Sequence, residues 1–177
     1  DYFRHAHEVA RHLMRGFALG LDLPDDIFLR SSEKPLSRAS FVYYPPDYER
    51  RYGVGPHTDF GVLTVLRQDS VGGLEIKNLD GDWIVAPPIP DTLVVNVGDL
   101  LARWTNGAYR STPHRVINKS KKERLSIVLA YDPEPNTMID PRDIFGLACD
   151  TQNDPITCGE YLTWRFEKAF AYRKVPT

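Results

Sequence analysis

The amino-acid sequence predicts a mainly β domain, a barrel or jelly roll of short antiparallel strands with an α-helix at each end. Three observations predict it. Short runs rich in Val, Ile and Leu follow one another at close spacing between residues 62 and 133, with turn residues between them. These runs do not alternate with helical segments, so the βαβ units of a parallel sheet are not indicated. Both flanks, by contrast, carry apolar residues at helical spacing.

Taken in order, residues 2–19 place Tyr2, Phe3, Ala6, Val9, Ala10, Leu13 and Phe17 on one helical face, with Leu21 just beyond. Gly20 suits the stop. Pro24 suits the first position of a short helical turn over 23–28. The stretch EKPLSRAS reads as a loop leading to a strand at 39–44. The stretch YYPPDYERRYGVGP reads as a loop from its Pro, Gly and charge content. Strands are expected at 62–68, 73–78, 83–88, 92–104, 114–118 and 124–133, with Asp80-Gly81 as a hairpin turn. The basic stretch NKSKKER (118–124) reads as an exposed hairpin loop. Thr157 and Glu160 stand at capping-box spacing and open a tail helix over 158–172. Its Tyr161, Leu162, Phe166, Ala169 and Phe170 are expected to pack on the outside of a sheet.

At 177 residues the chain is long enough for one domain with a real core. Neither a linker nor a second domain is indicated, so residues 1–177 are read as a single domain. An apolar fraction of 42% and a charged fraction of 26% are ordinary for a globular protein. The net charge of −2 gives no field that would favour nucleic acid or an anionic membrane. The apolar runs are far too short to span a bilayer. Two cysteines make no disulfide framework and fit a reducing, cytoplasmic setting. A monomer acting on a small molecule is expected. The opening residues read as helix with no start signal, so the chain is read as part of a longer protein, lacking its N-terminal portion.

The chemistry begins at GPHTDFGVLTVL (55–66). On an extended segment, residues i and i+2 share a face, so His57 and Asp59 point the same way. They are either ordinary polar residues at a strand edge or two ligands of a metal. Three of the other histidines, His5, His7 and His12, lie on the opening helix. His5 and His7 point about 200° apart there, which reads as a solvated face. His114 is the remaining candidate, and it heads a short apolar strand. Two histidines and a carboxylate on one face are the facial triad of non-haem Fe(II) oxygenases. Ten residues on, Arg124 and Ser126 again share one face of an apolar strand, while Leu125, Ile127 and Leu129 take the other. A buried Arg needs an anion. The alternatives are an Arg that snorkels to solvent or one paired with an internal acid.

In this order the motifs HTD (57–59), TPHRVIN (112–118) and RLSI (124–127) resemble the Fe(II)/2-oxoglutarate-dependent dioxygenase superfamily. The branch with isopenicillin N synthase, gibberellin oxidases and plant flavonoid dioxygenases is the most similar. Residues 81–107 are similar to the segment which that family places before its second histidine, and the resemblance runs over roughly residues 9–170. It implies a distorted double-stranded β-helix, a cupin-type jelly roll with flanking α-helices. It implies that His57, Asp59 and His114 bind Fe(II), and that Arg124 and Ser126 bind the distal carboxylate of 2-oxoglutarate. Tyr44, in VYYPP, would touch the same cosubstrate. Val42 stands where the family often has Asn, so the pocket beside it should be more apolar.

The implied reaction consumes O₂, releases succinate and CO₂ and oxidises a small-molecule substrate, with ascorbate an expected stimulant. The leading helix would buttress the barrel and the tail helix would fold back near its mouth. Phe60 is the candidate substrate contact. Two other readings stay open: an Fe(II) oxidase of the same fold that does not use 2-oxoglutarate, as isopenicillin N synthase and the ethylene-forming oxidase are, and a non-catalytic jelly-roll module. Asp99 reads as a turn residue, Asn96 and Trp104 as packing, and Cys149 and Cys158 as spectators.

Overall fold

The computed structural model describes residues 1–46 and 52–170. Helix α1 (Tyr2–Leu19) opens the chain, followed by a 3-10 turn at Ile27–Leu29. The strands are β1 (Arg38–Tyr44), β2 (Tyr52–His57), β3 (Leu63–Gln68), β4 (Leu74–Lys77), β5 (Trp83–Val85) and β6 (Val94–Val97). Helix α2 (Asp99–Trp104) then precedes β7 (His114–Ile117) and β8 (Arg124–Tyr131). A small ribbon of β9 (Met138–Ile139) and β10 (Ile156–Thr157) brackets α3 (Arg142–Phe145), and α4 (Cys158–Ala169) follows. Two four-stranded antiparallel sheets, ordered β1-β8-β3-β6 and β2-β7-β4-β5, make the double-stranded β-helix.

The core lies in two places. The larger part sits between the helices and the outer face of the first sheet. Here α1 buries Ala6, Ala10, Met14 and Ala18, a row at i+4 spacing, while Phe3 and Val9 stay exposed. Small residues on that row let the helix axis come close to the sheet. Leu63, Val65 and Leu129 receive it, with Leu100 and Leu101 from α2 and Tyr161 and Leu162 from α4. The smaller part fills the barrel interior, where Tyr44, Leu74 and Val116 bring the two sheets together. The interior is therefore packed at one end and leaves room at the other.

Three expectations change. The long apolar run 92–104 is not one strand, because Gly98 breaks it and Asp99–Trp104 coils into α2. The reason is a close approach: a Cβ on Gly98 would collide with the backbone carbonyl of Gly61. The stretch expected as loop up to residue 56 contains β2, though residues 47–51 lie outside the described residues. Its glycines did not prevent pairing. Gly53 lies where a Cβ would come within 2.5 Å of the Tyr44 ring, and the ladder to β7 is broken by two register shifts. The tail helix ends at Ala169, and the part expected beyond residue 170 lies outside the described residues. Its capping box is present, with Thr157 and Glu160 bonded reciprocally. The ribbon β9–β10 and helix α3 are short elements beyond those the sequence pattern predicts.

Gly98→Ala is expected to destabilise the fold by roughly 1–3 kcal/mol, the range for overpacking a closed site. A urea midpoint that does not move would show that the two backbones can separate freely.

Candidate active site

The register of the second sheet sets His57 directly opposite His114 on β2 and β7. Their ring centroids are 4.3 Å apart. His114 is buried and His57 partly so. Each ring is aimed by a backbone carbonyl two residues back: His57 Nδ1 lies 2.8 Å from Gly55 O, and His114 Nδ1 lies 3.1 Å from Thr112 O. A carbonyl oxygen can only accept, so Nδ1 carries a proton in both rings, and in the neutral imidazole it is then Nε2 that holds the lone pair. That is the tautomer a metal needs, with the carbonyl as outer support.

Asp59 joins them from a loop, not from the strand. β2 ends at His57, and Asp59 follows two residues later. The loop is fixed by the start of α2, whose unpaired N–H groups have no partner within the helix. Asp99 N donates to Asp59 O at 2.8 Å, Leu100 N to Gly61 O at 3.0 Å and Gly98 N to Val62 O at 3.0 Å. The result is a group in which one ligand atom each from His57, Asp59 and His114 lies within 4.8 Å of the others. Among the described residues it is the one such group of His, Cys, Asp and Glu. The histidines of α1 take no part, and His7 instead packs its ring 5.0 Å from that of Tyr131. The donor set, two free imidazole nitrogens and one carboxylate, fits a divalent iron ion.

Two further residues support Asp59. Asn96, on β6, holds its Nδ2 3.5 Å from Asp59 Oδ2. Asp99 accepts from Thr58 Oγ1 at 3.0 Å and from Arg165 of α4. Sequence reasoning gave neither a part in the site. A polar residue at the inward position of VVNV was the available signal for Asn96.

The second constellation assembles at the packed end of the barrel. Tyr44 is the register partner of Arg124, and Val42 that of Ser126. The Arg124 guanidinium lies 4.6 Å from the centre of the Tyr44 ring. It donates from Nε to Gly72 O at 2.6 Å and from Nη1 to Ser126 Oγ at 3.3 Å. Arg124 is 0% exposed, so it does not snorkel. It forms no ion pair with any described carboxylate, and its Nη2 is buried with no hydrogen-bond partner. Glu75 gives the contrast: this buried acid holds both Lys119 and Arg115, and those cations keep its carboxyl below the ordinary range. A cation as deep as Arg124 with an idle donor fits an incoming anion.

Asp59 also lies on the wall of a cavity of about 140 Å³, lined besides by Phe60, Thr64, Arg38, Ser40 and neighbours on β8. Helix α4 reaches this mouth. Phe166 packs 5.7 Å from Phe60, and Arg165 lies 4.2 Å over the Phe60 ring.

A model of the 2OG-Fe(II) oxygenase superfamily matches residues 36–133, more than half of the chain and every residue of the two constellations. The chain belongs to that superfamily. A homoarginine-6-hydroxylase of Glycine max is 39% identical over 153 residues, which is 81% of this chain and 46% of that protein. A 2-oxoglutarate-Fe(II) type oxidoreductase, ppzC, of Metarhizium rileyi is 43% identical over 137 residues, covering 71% of this chain and 37% of that one. Among solved oxygenase structures, Neurospora crassa T7H in complex with alpha-KG superposes with a TM-score of 0.85 at 31% identity, over 94% of this chain and 55% of that chain. The chain thus spans about half the length of the oxygenases it matches.

Asp132 stands behind the Asp59 loop. It is fully buried, accepts from Val62 N at 2.8 Å, and leaves Oδ2 without a partner. Burial pushes its carboxyl up to about 6. The native state therefore holds this proton more tightly than the unfolded chain does. The group's contribution to stability falls as pH rises from about 4 through about 6. Asp132→Asn keeps the bond to Val62 and removes the buried charge. It should raise stability by ~2 kcal/mol above pH 7, with the gain vanishing below pH 4. Urea denaturation of the metal-free protein across that range reads the difference, and a gain independent of pH would contradict the assignment.

Proposed function

We propose that the chain is the catalytic domain of an Fe(II)- and 2-oxoglutarate-dependent dioxygenase that oxidises a small molecule, in which His57, Asp59 and His114 hold the iron. Arg124, with Ser126 and Tyr44, holds the distal carboxylate of 2-oxoglutarate. The observation that carries the cosubstrate reading is Arg124: fully buried, without an acid, and with Nη2 unpartnered. Bound iron supplies the activation of O₂, coupled to decarboxylation of 2-oxoglutarate to succinate and CO₂.

The protein's part is geometry. Gly55 and Thr112 carbonyls keep both imidazoles in the ligating tautomer. Asp59 contributes the negative charge, and the start of α2 keeps its backbone in place. Arg124 binds one end of the cosubstrate by a fork of donors that a carboxylate fits. Phe60 lies on the cavity wall beside Asp59, which supports reading it as a substrate contact. Phe166 and Arg165 close over Phe60 from outside and limit water at the mouth. Small-molecule substrates are in keeping with the relatives: one is named for homoarginine, and a T7H structure holds thymine.

Asp59→Ala should weaken metal binding by at least about 100-fold, the upper range for losing even an outer support of a ligand. Co(II) titration followed by absorbance reads this, with circular dichroism confirming the fold. Unchanged metal stoichiometry would sink the ligand assignment. Arg124→Met makes a sharper separation. It should raise the Kd for 2-oxoglutarate about 100-fold, or ~3 kcal/mol. Metal affinity should stay unchanged, and cosubstrate-free stability should be equal or higher, because a buried cation without an anion is lost. An unaltered Kd for 2-oxoglutarate would favour an Fe(II) oxidase of the same fold that does without it. In that case O₂ uptake would proceed without succinate.

A further inference from the structure

The first sheet carries a second arginine on the same face as Arg124. Along the β1–β8 ladder the register pairs Tyr44 with Arg124, Val42 with Ser126, Ser40 with Val128 and Arg38 with Ala130. These alternate residues share one face. Tyr44 and Val42 belong to the interior cluster at one end, while Arg38, Ser40, Val128 and Ala130 line the mouth cavity with Asp59 at the other. Six residues of strand separate the two arginines, about 20 Å. A carboxylate held by Arg124 is therefore out of reach of Arg38.

Arg38 makes no hydrogen bond or ion pair among the described residues. Its guanidinium lies over the Phe166 ring of α4, 4.4 Å from the ring centre. Stacking of this kind holds the plane and leaves the edge N–H donors free. The other arginine at the mouth differs. Arg165 is already neutralised by Asp99 and bonded to the Tyr161 hydroxyl at 2.9 Å. The acids near Arg38 do not satisfy it either. Asp132 influences it only through space, from behind the wall, and is bonded to Val62 N. Asp59 belongs to the proposed metal group.

We infer that Arg38 is a specificity-determining residue that reads a carboxylate on the prime substrate, placing the carbon to be oxidised between Phe60 and Asp59. The proposal deepens the functional reading above and rests on it. A carboxylate is favoured over a phosphate on two grounds. One stacked guanidinium offers a single planar edge, which matches a planar carboxylate. A phosphate monoester would bring nearly two negative charges to one cation, inside a small cavity that already contains Asp59.

The test uses protein loaded with Mn(II), which does not turn over, and saturating 2-oxoglutarate. Phenylacetate, cinnamate and hexanoate are titrated against their primary amides, with phenyl phosphate as a further probe. Paramagnetic relaxation of the probe protons reads both affinity and nearness to the metal. At least one carboxylate should bind tenfold or more tighter than its amide. Arg38→Gln should abolish that preference while the Kd for 2-oxoglutarate stays the same. Equal binding of acids and amides, or a preference that survives in Arg38→Gln, overturns the assignment, as does phenyl phosphate binding tighter than every carboxylate. Failure of the dioxygenase reading shows separately, as absence of 2-oxoglutarate binding by the unsubstituted protein.

Discussion

The site depends on one pairing. β2 and β7 run antiparallel in a register that sets His57 across from His114. Paired residues on neighbouring strands share a face, so the two rings meet without any special device. The ladder reaches this register through two irregularities, and both fall in the stretch with Gly53, Gly55 and Pro56. A one-residue slip would turn one histidine to the opposite face. The bulged, glycine-rich strand is thus part of the proposed metal site, though it contributes only one side chain to it.

The third donor is held by different means. Asp59 is beyond the strand, where no ladder fixes it. The N–H groups at the start of α2 take over, binding the carbonyls of Asp59 and Gly61. Asp99 then couples that helix to Thr58 between the two ligands and to Arg165 on α4. Sheet pairing therefore fixes two of the proposed ligands, and a helix N-terminus fixes the third. The arrangement connects α4, which closes the mouth, with the loop that bears the carboxylate.

Much of this was legible. The order His57, Asp59, His114, Arg124, Ser126 could be read because strand parity and motif order are properties of sequence. The capping box at Thr157 could be read because it is local. Other features were hidden because they depend on contacts distant in the chain. Residues 92–104 read as a single strand, and only the approach of Gly61 to Gly98 shows why the chain coils there. β2 looked like a loop because its composition is that of one, and its pairing comes from β7, some 60 residues away. Asp59 was expected to share a face with His57 by strand alternation. It does converge with it, but through a loop held by α2. Asp99 reads as a turn residue and Asn96 as packing: the inward polar position in VVNV marks Asn96 as unusual, but only the fold shows that it faces Asp59 and that Asp99 holds the neighbouring loop.

The two arginines of the β1–β8 face show how one strand pair can separate two anions. Arg124 is fully buried and rests on Tyr44, while Arg38 stands at the open end and rests on Phe166. Each guanidinium is held by an aromatic ring, and neither has an acid as partner among the described residues. Burial makes the difference between them. The deep arginine gains most from an anion that stays bound while the substrate comes and goes, because its charge is costly when uncompensated. The exposed one is hydrated when free, so it loses little when empty and can exchange its partner. The depth of each cation thus matches the anion proposed for it: a cosubstrate carboxylate at the closed end, and a substrate carboxylate at the mouth.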